Sequence, residues 1–352
     1  MSGNIQLRDR LNGLIRAKGR ISFAEYMEEV LYHPEFGYYS SSRNPIGPAG
    51  DFYTSANVDP AMGQLLAELF REMAMGIDGF VVVEIGAGSG LLARHILEAC
   101  EFPYVIVERS PAMRRRQAEA LEGFDVTWLD AVPQDTHGCV FSNEFFDALP
   151  VRRFVRRGDQ LRELFVGEGL SEVEAEPDPH IALPLLQDGA MADIAPEAAV
   201  WVREIGNRLA RGYHLAIDYG YRREELFAHR RGTLMCYRRH QAVEDPYADP
   251  GEKDLTAHVN FSDLIDAGSE VGLDLVGLRS QKDFLVDLGL LDVMSELAEA
   301  GNAAAITRLQ LLKNLILPPM MGERFRVLLQ RKGVSERALP GFEAASRFSE
   351  SS

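Results

Sequence analysis

The chain has 352 residues, with 37 Lys plus Arg against 53 Asp plus Glu, a formal net charge of −16. A chain of this length builds a core without disulfide or metal staples, and its 46% apolar and 26% charged residues are those of a soluble globular protein. The acidity excludes a general basic field for coating nucleic acid, so no nucleic-acid partner is expected.

Taken in chain order, Ile5, Leu7, Leu11, Leu14 and Ile15 follow a helical spacing over residues 5–18 that Gly19 stops. Ser22 with Glu25 three residues on is a capping box. It opens a second helix with Phe23, Tyr26, Met27, Val30 and Leu31 on its apolar face. Residues 33–39 are rich in aromatics and lead into a Ser-, Pro- and Gly-rich stretch up to Asp51, a long loop of the kind that carries function. After Pro60, Met62, Leu65, Leu66, Leu69, Phe70 and Met73 mark a helix. Strands are then predicted at 80–85, 104–107, 126–129 and 139–142, with helices at 91–99 and 114–121. Strands alternating with helices predict a doubly wound parallel sheet. Residues 151–174 read as strand pairs with polar turns, a β insertion; 196–209 as a helix; 213–219 as a fifth core strand; and 222–260 as irregular. Helices are predicted at 262–271, 284–300 and 303–317, with a short strand at 273–278, a last strand at 325–330 and a loose tail after Gly333.

Cys100, Cys139 and Cys236 lie far apart, with no Cys-x-x-Cys and no Cys/His cluster. They read as buried thiols of a reducing compartment, and no metal site is expected. No apolar run reaches the roughly 18 residues of a membrane span. Residues 1–19 are charged throughout and lack the apolar core of a secretory signal, so a cytoplasmic protein is expected.

The sharpest signal is Glu84-Ile85-Gly86-Ala87-Gly88-Ser89-Gly90, where a predicted strand runs into a glycine turn that opens a helix. A dinucleotide fingerprint requires G-x-G-x-x-G. Here the third glycine comes one residue early, and Glu84 stands where it would repel a pyrophosphate and suit an ammonium group. The pattern resembles the first motif of the class I S-adenosylmethionine (SAM) methyltransferases. That resemblance implies SAM as cofactor, with Glu84 serving its methionine amino end and Gly86, Ala87, Gly88 and Gly90 lying against the ligand. Glu108 follows the second strand, where a carboxylate accepts ribose hydroxyl protons. Asp130 follows the third strand, at the family's place for a side chain toward the adenine amino group.

Other stretches narrow the resemblance. Residues 32–39, 50–55, 142–150, 218–220, 232–237, 254–261 and 319–323 are similar, in order, to the MidA-like methyltransferase family, and the similarity covers about residues 21–332. Departures stand at residues 57–60, where a more Pro-Glu-like sequence is expected, and at Asn260, where Asp is usual. The resemblance implies an α/β fold: a Rossmann-like class I methyltransferase sheet with a β insertion and a helical C-terminal substrate-shaping region. The organisation so read is N-terminal helices and lid loop 1–60, SAM-binding core 61–150, β insertion 151–195, core helix and strand 196–221, mostly helical region 222–318, last core strand 319–333 and tail 334–352. Mitochondrial members of the family are complex I assembly factors that methylate an arginine. The implied partner is therefore a protein with an exposed arginine, a quinone-binding core subunit of respiratory complex I, and the implied assembly a homodimer.

A guanidinium is permanently charged and a poor nucleophile, so carboxylates must clamp it and draw charge away from the attacking nitrogen. Glu144 and Asp147, after the fourth strand, are the candidate clamp, with Asn143 positioning ligand or substrate and His258 a candidate general base. Asp51, Phe52 and Thr54, at the end of the long loop, are candidate lid residues over the cofactor. Asp218 and Tyr219 read as pocket wall. The arginines at 114–116, 152–157, 222–223 and 238–239 read as ion pairs and solvated faces, those at 152–157 also as a surface for an acidic partner. Two rival functions are a methyltransferase acting on O or N of a small molecule and a non-catalytic SAM-binding assembly factor.

Overall fold

The computed structural model describes residues 2–40, 59–178, 185–238, 241–317 and 321–342. The lid candidates Asp51, Phe52 and Thr54 lie outside the described residues. The chain groups into an insertion unit (residues 1–52, 146–200 and 220–264) and a sheet unit (residues 53–145, 201–219 and 265–352).

The insertion unit begins with α1 (Ser2–Lys18), β1 (Ile21–Ser22) and α2 (Phe23–Tyr32). The capping box forms as expected: the Ser22 amide donates to Glu25 Oε2 at 2.8 Å and the Glu25 amide to Ser22 Oγ at 3.1 Å. Leu7, Leu11 and Ile15 of α1 pack with Phe23, Met27 and Val30 of α2 in one apolar cluster. After the sheet unit's first half come β6 (Arg152–Arg157), β7 (Gln160–Gly167), β8 (Ser171–Ala175) and β9 (Met191–Ile194). They form an antiparallel sheet in the order β1-β7-β6-β9, with β8 also on β7.

The sheet unit contains α3 (Ala61–Ala74), β2 (Val81–Ile85), α4 (Leu91–Leu97), β3 (Tyr104–Val107), α5 (Pro111–Ala120), β4 (Val126–Leu129) and β5 (Thr136–Asn143). Two elements then run across the division of the chain: α6 (Pro196–Arg208) and β10 (Leu209–Tyr221). Back in the insertion unit, α7 (Arg223–Phe227) precedes a three-stranded antiparallel sheet of β11 (Met235–Arg238), β12 (Gln241–Ala242) and β13 (Asp254–Thr256). The two-residue β14 (Val259–Asn260) pairs in parallel with Gly220 and Tyr221. α8 (Phe261–Glu270) leads out to β15 (Asp274–Ser280), α9 (Gln281–Asp287), α10 (Leu290–Ala300), α11 (Ala303–Ile316) and β16 (Phe325–Lys332).

The main sheet runs β15-β16-β10-β5-β2-β3-β4. β10, β5, β2, β3 and β4 are parallel, and β16 is antiparallel to both of its neighbours. From β2 the chain winds outward to β3 and β4, then returns to β5 on the other side of β2. That reversal is the topological switch point, and the carboxyl ends of β2 and β5 are where open α/β sheets bind ligands. Aliphatic and aromatic residues fill the core beneath: Val82, Ile106, Leu215 and Val327 are buried, and Phe70 packs on Phe141 with ring centroids 5.3 Å apart.

Three expectations are corrected. The helix at 284–300 is two helices, broken at Gly289, whose φ of +99° a helix interior does not accept. The region 222–318 is not mostly helical over residues 222–260, which hold β11 to β14. β13 pairs with β11 and β14 with β10 across long gaps in sequence, and local periodicity carries no trace of such pairing. The tail is not loose over residues 334–342: Leu339 and Phe342 are buried, Phe342 packs on Phe284 at 5.6 Å, and Arg337 pairs with Glu72.

Candidate active site

The glycine loop lies at the end of β2 with Gly86, Gly88 and Gly90 at φ +67°, +54° and +82°. L-residues rarely adopt that region, so the turn requires glycine. It is also narrow: a Cβ on Gly86 would stand 2.8 Å from the Phe145 ring, and one on Gly90 3.3 Å from the Cα of Gln117. Ala87 between them is buried.

Glu84 is 2% exposed, and its Oε2 accepts from the Tyr104 hydroxyl at 2.8 Å. Burial pushes its carboxyl up to about 7, and the Tyr104 bond pulls the other way. Glu108, just beyond β3, accepts from the Ser110 amide at 2.8 Å and from Gln117 Nε2 at 3.2 Å. Burial raises its carboxyl too, against those two bonds. Among the described residues neither Glu84 nor Glu108 forms a salt bridge. Asp130 stands past β4 with its side chain 83% exposed and paired with Arg114 at 2.6 Å.

Gln117 is a residue that sequence reasoning missed. It is wholly buried, and its Nε2 donates both to Glu108 and, at 3.0 Å, to the Gly88 carbonyl, while its Oε1 accepts from Trp128 Nε1 at 3.0 Å. One amide thus ties the glycine loop, the ribose-position carboxylate and the third strand. The available signal was an uncharged polar residue four positions after Met113, on the face of α5 that turns inward.

At the end of β5, Asn143 Nδ2 donates to Glu144 Oε1 at 3.0 Å. Glu144 has φ +56°, a left-handed backbone that costs a non-glycine residue on the order of 1–3 kcal/mol and collects at functional sites. The turn is secured on both sides. The Glu144 amide donates to the Ile217 carbonyl at 2.9 Å, and the Phe145 amide to Asp218 Oδ2 at 3.1 Å. Asp218 is fully buried and also accepts from the Tyr219 amide at 2.8 Å, so it acts as a clamp on this turn rather than as pocket wall. Phe145, which touches Gly86, joins the Glu144 turn to the glycine loop. The sheet unit therefore brings together Glu84, the glycine loop, Glu108, Asn143 and Glu144.

Asp147 and His258 belong to the insertion unit. Asp147 is 6% exposed, and its carbonyl accepts from the Ala257 amide at 2.9 Å. Burial and then the charges of Asp254 and Asp147, among others, push the Tyr39 hydroxyl up, and that hydroxyl donates to Asp254 at 2.7 Å. His258 packs its ring 5.4 Å from that of Tyr221, and its amide donates to Thr233 Oγ1 at 3.2 Å. It lines a pocket with Phe146, Val151, Asp193, Leu226 and Asn260. Arg152, Arg153 and Arg157, read as ion pairs or a docking surface, are ion-paired.

Comparison with known proteins bears on this arrangement. Residues 61–279 match the family of S-adenosyl-L-methionine-dependent methyltransferases. The chain is 30% identical to the zebrafish (Danio rerio) protein named protein arginine methyltransferase NDUFAF7, mitochondrial, over 92% of this chain and 86% of that one. It is 31% identical to the human protein of the same name, over 88% and 80%. It also superposes on the crystal structure of a Burkholderia thailandensis protein bound to S-adenosyl-homocysteine, with a TM-score of 0.90, 33% identity and 97% and 95% of the two chains covered. These relatives overturn the cytoplasmic expectation, since the curated ones are mitochondrial. Reduced thiols and a charged first segment, the grounds of that expectation, do not distinguish one reducing compartment from another.

Proposed function

The chain belongs to the S-adenosyl-L-methionine-dependent methyltransferase family, and from that premise we propose that it methylates an arginine side chain of a protein. SAM is the cofactor, and when bound it supplies a methyl group on a sulfonium for in-line displacement. The sheet unit's residues fit such a ligand. Glu84 is a buried carboxylate that, among the described residues, meets a phenol and no cation, which suits an ammonium. Glu108 has its carboxylate held by Ser110 and Gln117 for the ribose hydroxyls, and the glycine loop admits close backbone approach.

The observation that carries the arginine reading is Glu144. Its strained backbone at the end of β5, secured by Ile217 and tied through Phe145 to the glycine loop, presents a carboxylate beside the cofactor turn. A carboxylate there pairs with the guanidinium and draws its charge away from the attacking nitrogen. Asn143 holds that carboxylate at 3.0 Å. Within this reading we take the acceptor to be a core subunit of respiratory complex I and the assembly a homodimer, as the family resemblance suggests.

The test is labelled-methyl transfer into an extract from cells lacking this protein, with wild type and Glu144→Gln side by side. The expected outcome is a labelled protein band that yields methylarginine on hydrolysis. Glu144→Gln should lower transfer about 10²–10³-fold, the cost typical of a lost transition-state electrostatic contact, while binding SAM as wild type does. A labelled small molecule would replace the arginine reading with small-molecule methylation. No label, with SAM still bound, would leave a non-catalytic assembly factor.

A further inference from the structure

The Gln117 carboxamide is fixed at both ends. Gln117 is wholly buried on α5, and its Nε2 donates to the Gly88 carbonyl at 3.0 Å and to Glu108 Oε2 at 3.2 Å, while its Oε1 accepts from Trp128 Nε1 at 3.0 Å. An indole N–H only donates, and a carbonyl and an ionised carboxylate only accept. The three partners therefore permit one orientation of the amide, and they occupy both of its N–H bonds. The backbone is as confined as the side chain, since a Cβ on Gly90 would stand 3.3 Å from the Gln117 Cα.

Glu108 is held along its whole length. Its amide donates to the Leu129 carbonyl at 3.0 Å, and its carbonyl accepts from Arg114 Nε at 2.6 Å. Its Oε1 takes the Ser110 amide at 2.8 Å, and its Oε2 takes Gln117. A carboxylate oxygen has two lone pairs, so each oxygen, with one neutral donor on it, keeps an acceptor site for a second. The 2′- and 3′-hydroxyls of a ribose are two adjacent O–H donors, which match two acceptor sites on one carboxylate. Ser110 reaches Glu108 through a local turn. Gln117 reaches it from two turns into α5 and is the partner that sets the second oxygen.

We propose that Gln117 is the positioning residue that sets the plane of the Glu108 carboxylate and so makes the cofactor site select a ribose over a 2′-deoxyribose. The proposal rests on the reading of Glu108 as the ribose carboxylate, but not on the methyl acceptor being arginine. Gln117 itself does not touch the cofactor. Its amide is taken up by Gly88, Glu108 and Trp128, so it acts only through where the Glu108 oxygens stand. Without it, Oε2 loses the donor that fixes it, and the carboxylate turns to a plane that meets one hydroxyl well instead of two.

The test is calorimetric titration with S-adenosyl-homocysteine and with its 2′-deoxy analogue, read as the ratio of the two affinities. Wild type should favour the ribose ligand roughly 10–100-fold, as expected for one hydrogen bond to a charged group. Glu108→Ala should abolish that preference. Gln117→Met keeps the length and the apolar stem but removes the amide, and should cut the preference about fivefold, the usual contribution of one neutral hydrogen bond. Trp128→Phe keeps a ring on β4 and frees the amide to turn. It should cut the ratio in the same direction by less, and it decides the question where Gln117→Met does not fold. A wild-type ratio in the Gln117→Met protein, even with both affinities lowered together, would overturn the proposal and leave Glu108 on the ribose. An unchanged ratio in Glu108→Ala would instead remove Glu108 from the ribose, and the proposal with it.

Discussion

Two sets of carboxylates, one in each unit, are treated in opposite ways. In the insertion unit Glu163, Asp178, Glu172, Asp193 and Glu174 are each met by an arginine from β6. Of these Glu163 and Asp193 are buried; in the sheet unit Glu84 is buried as well and Glu108 half-buried, yet they are held by a phenol, an amide N–H and a carboxamide. A buried carboxylate with a guanidinium beside it is already neutralised and serves the fold. Glu84, met among the described residues by a neutral donor, holds its proton more tightly than a free carboxyl does until a cation arrives. Glu163 and Asp193 thus have their positive partner inside the chain, whereas in the reading proposed above Glu84 takes its from the ligand; Asp218, held by the Phe145 and Tyr219 amides, is a third kind that clamps a turn.

After Glu144→Gln, the largest expected effect that would sharpen this contrast is on stability. Arg153→Ala leaves Asp193 buried without its cation and should cost about 3–5 kcal/mol by denaturant unfolding. The refolded variant should still bind SAM as tightly as wild type does. Weaker SAM binding by a folded Arg153→Ala protein would break the division between structural and functional acids.

Glu84→Ala should do the reverse. SAM affinity should fall about 10²-fold, since it removes the partner of a buried charge on the ligand, and unfolding stability should not fall. The same carboxylate sets a pH dependence. Its proton affinity is raised in the fold from 4.5 to about 7. The ligand-free fold therefore binds the proton more tightly than the unfolded chain does. The resulting stability is fully present below about 4.5 and is lost as pH rises through about 7. An ammonium favours the carboxylate, so SAM affinity should climb as pH rises through about 7, and calorimetry across that range measures it. A flat profile would remove Glu84 from the ligand.

The smallest effect is that of Tyr104→Phe. It deletes the bond that lowers Glu84's proton affinity, so the midpoint of that pH profile should move upward and SAM affinity at pH 7 should drop about fivefold. A downward shift would mean that Tyr104 holds the protonated form instead.

Much of the sheet unit was legible because its signals are local. The glycine spacing, the acid two residues before it and the acids after β3 and β4 stand within a few residues of strands that periodicity identifies. Even there the sequence showed which residues carry carboxylates and not what they meet. Asp130 is mostly exposed and paired with Arg114, and Asp218 is a buried clamp. The insertion unit was less legible for a different reason. β1 pairs with β7, and β11 with β13, across stretches that no pattern in the intervening residues announces.

The sequence by itself determined the class of ligand: three glycines at this spacing after an acidic strand end admit a cationic cofactor and refuse a pyrophosphate. It also pointed to a doubly wound parallel sheet, because β-α alternation leaves few topologies, while the strand order came with the fold. Tertiary structure alone decided which polar residues hold that machinery in place. Gln117, Tyr104 and Asp218 act on groups far from them in the chain, at the other end of a hydrogen bond. A hydrogen bond of about 3 Å between distant segments exists only once the intervening chain has folded, and no local propensity encodes it.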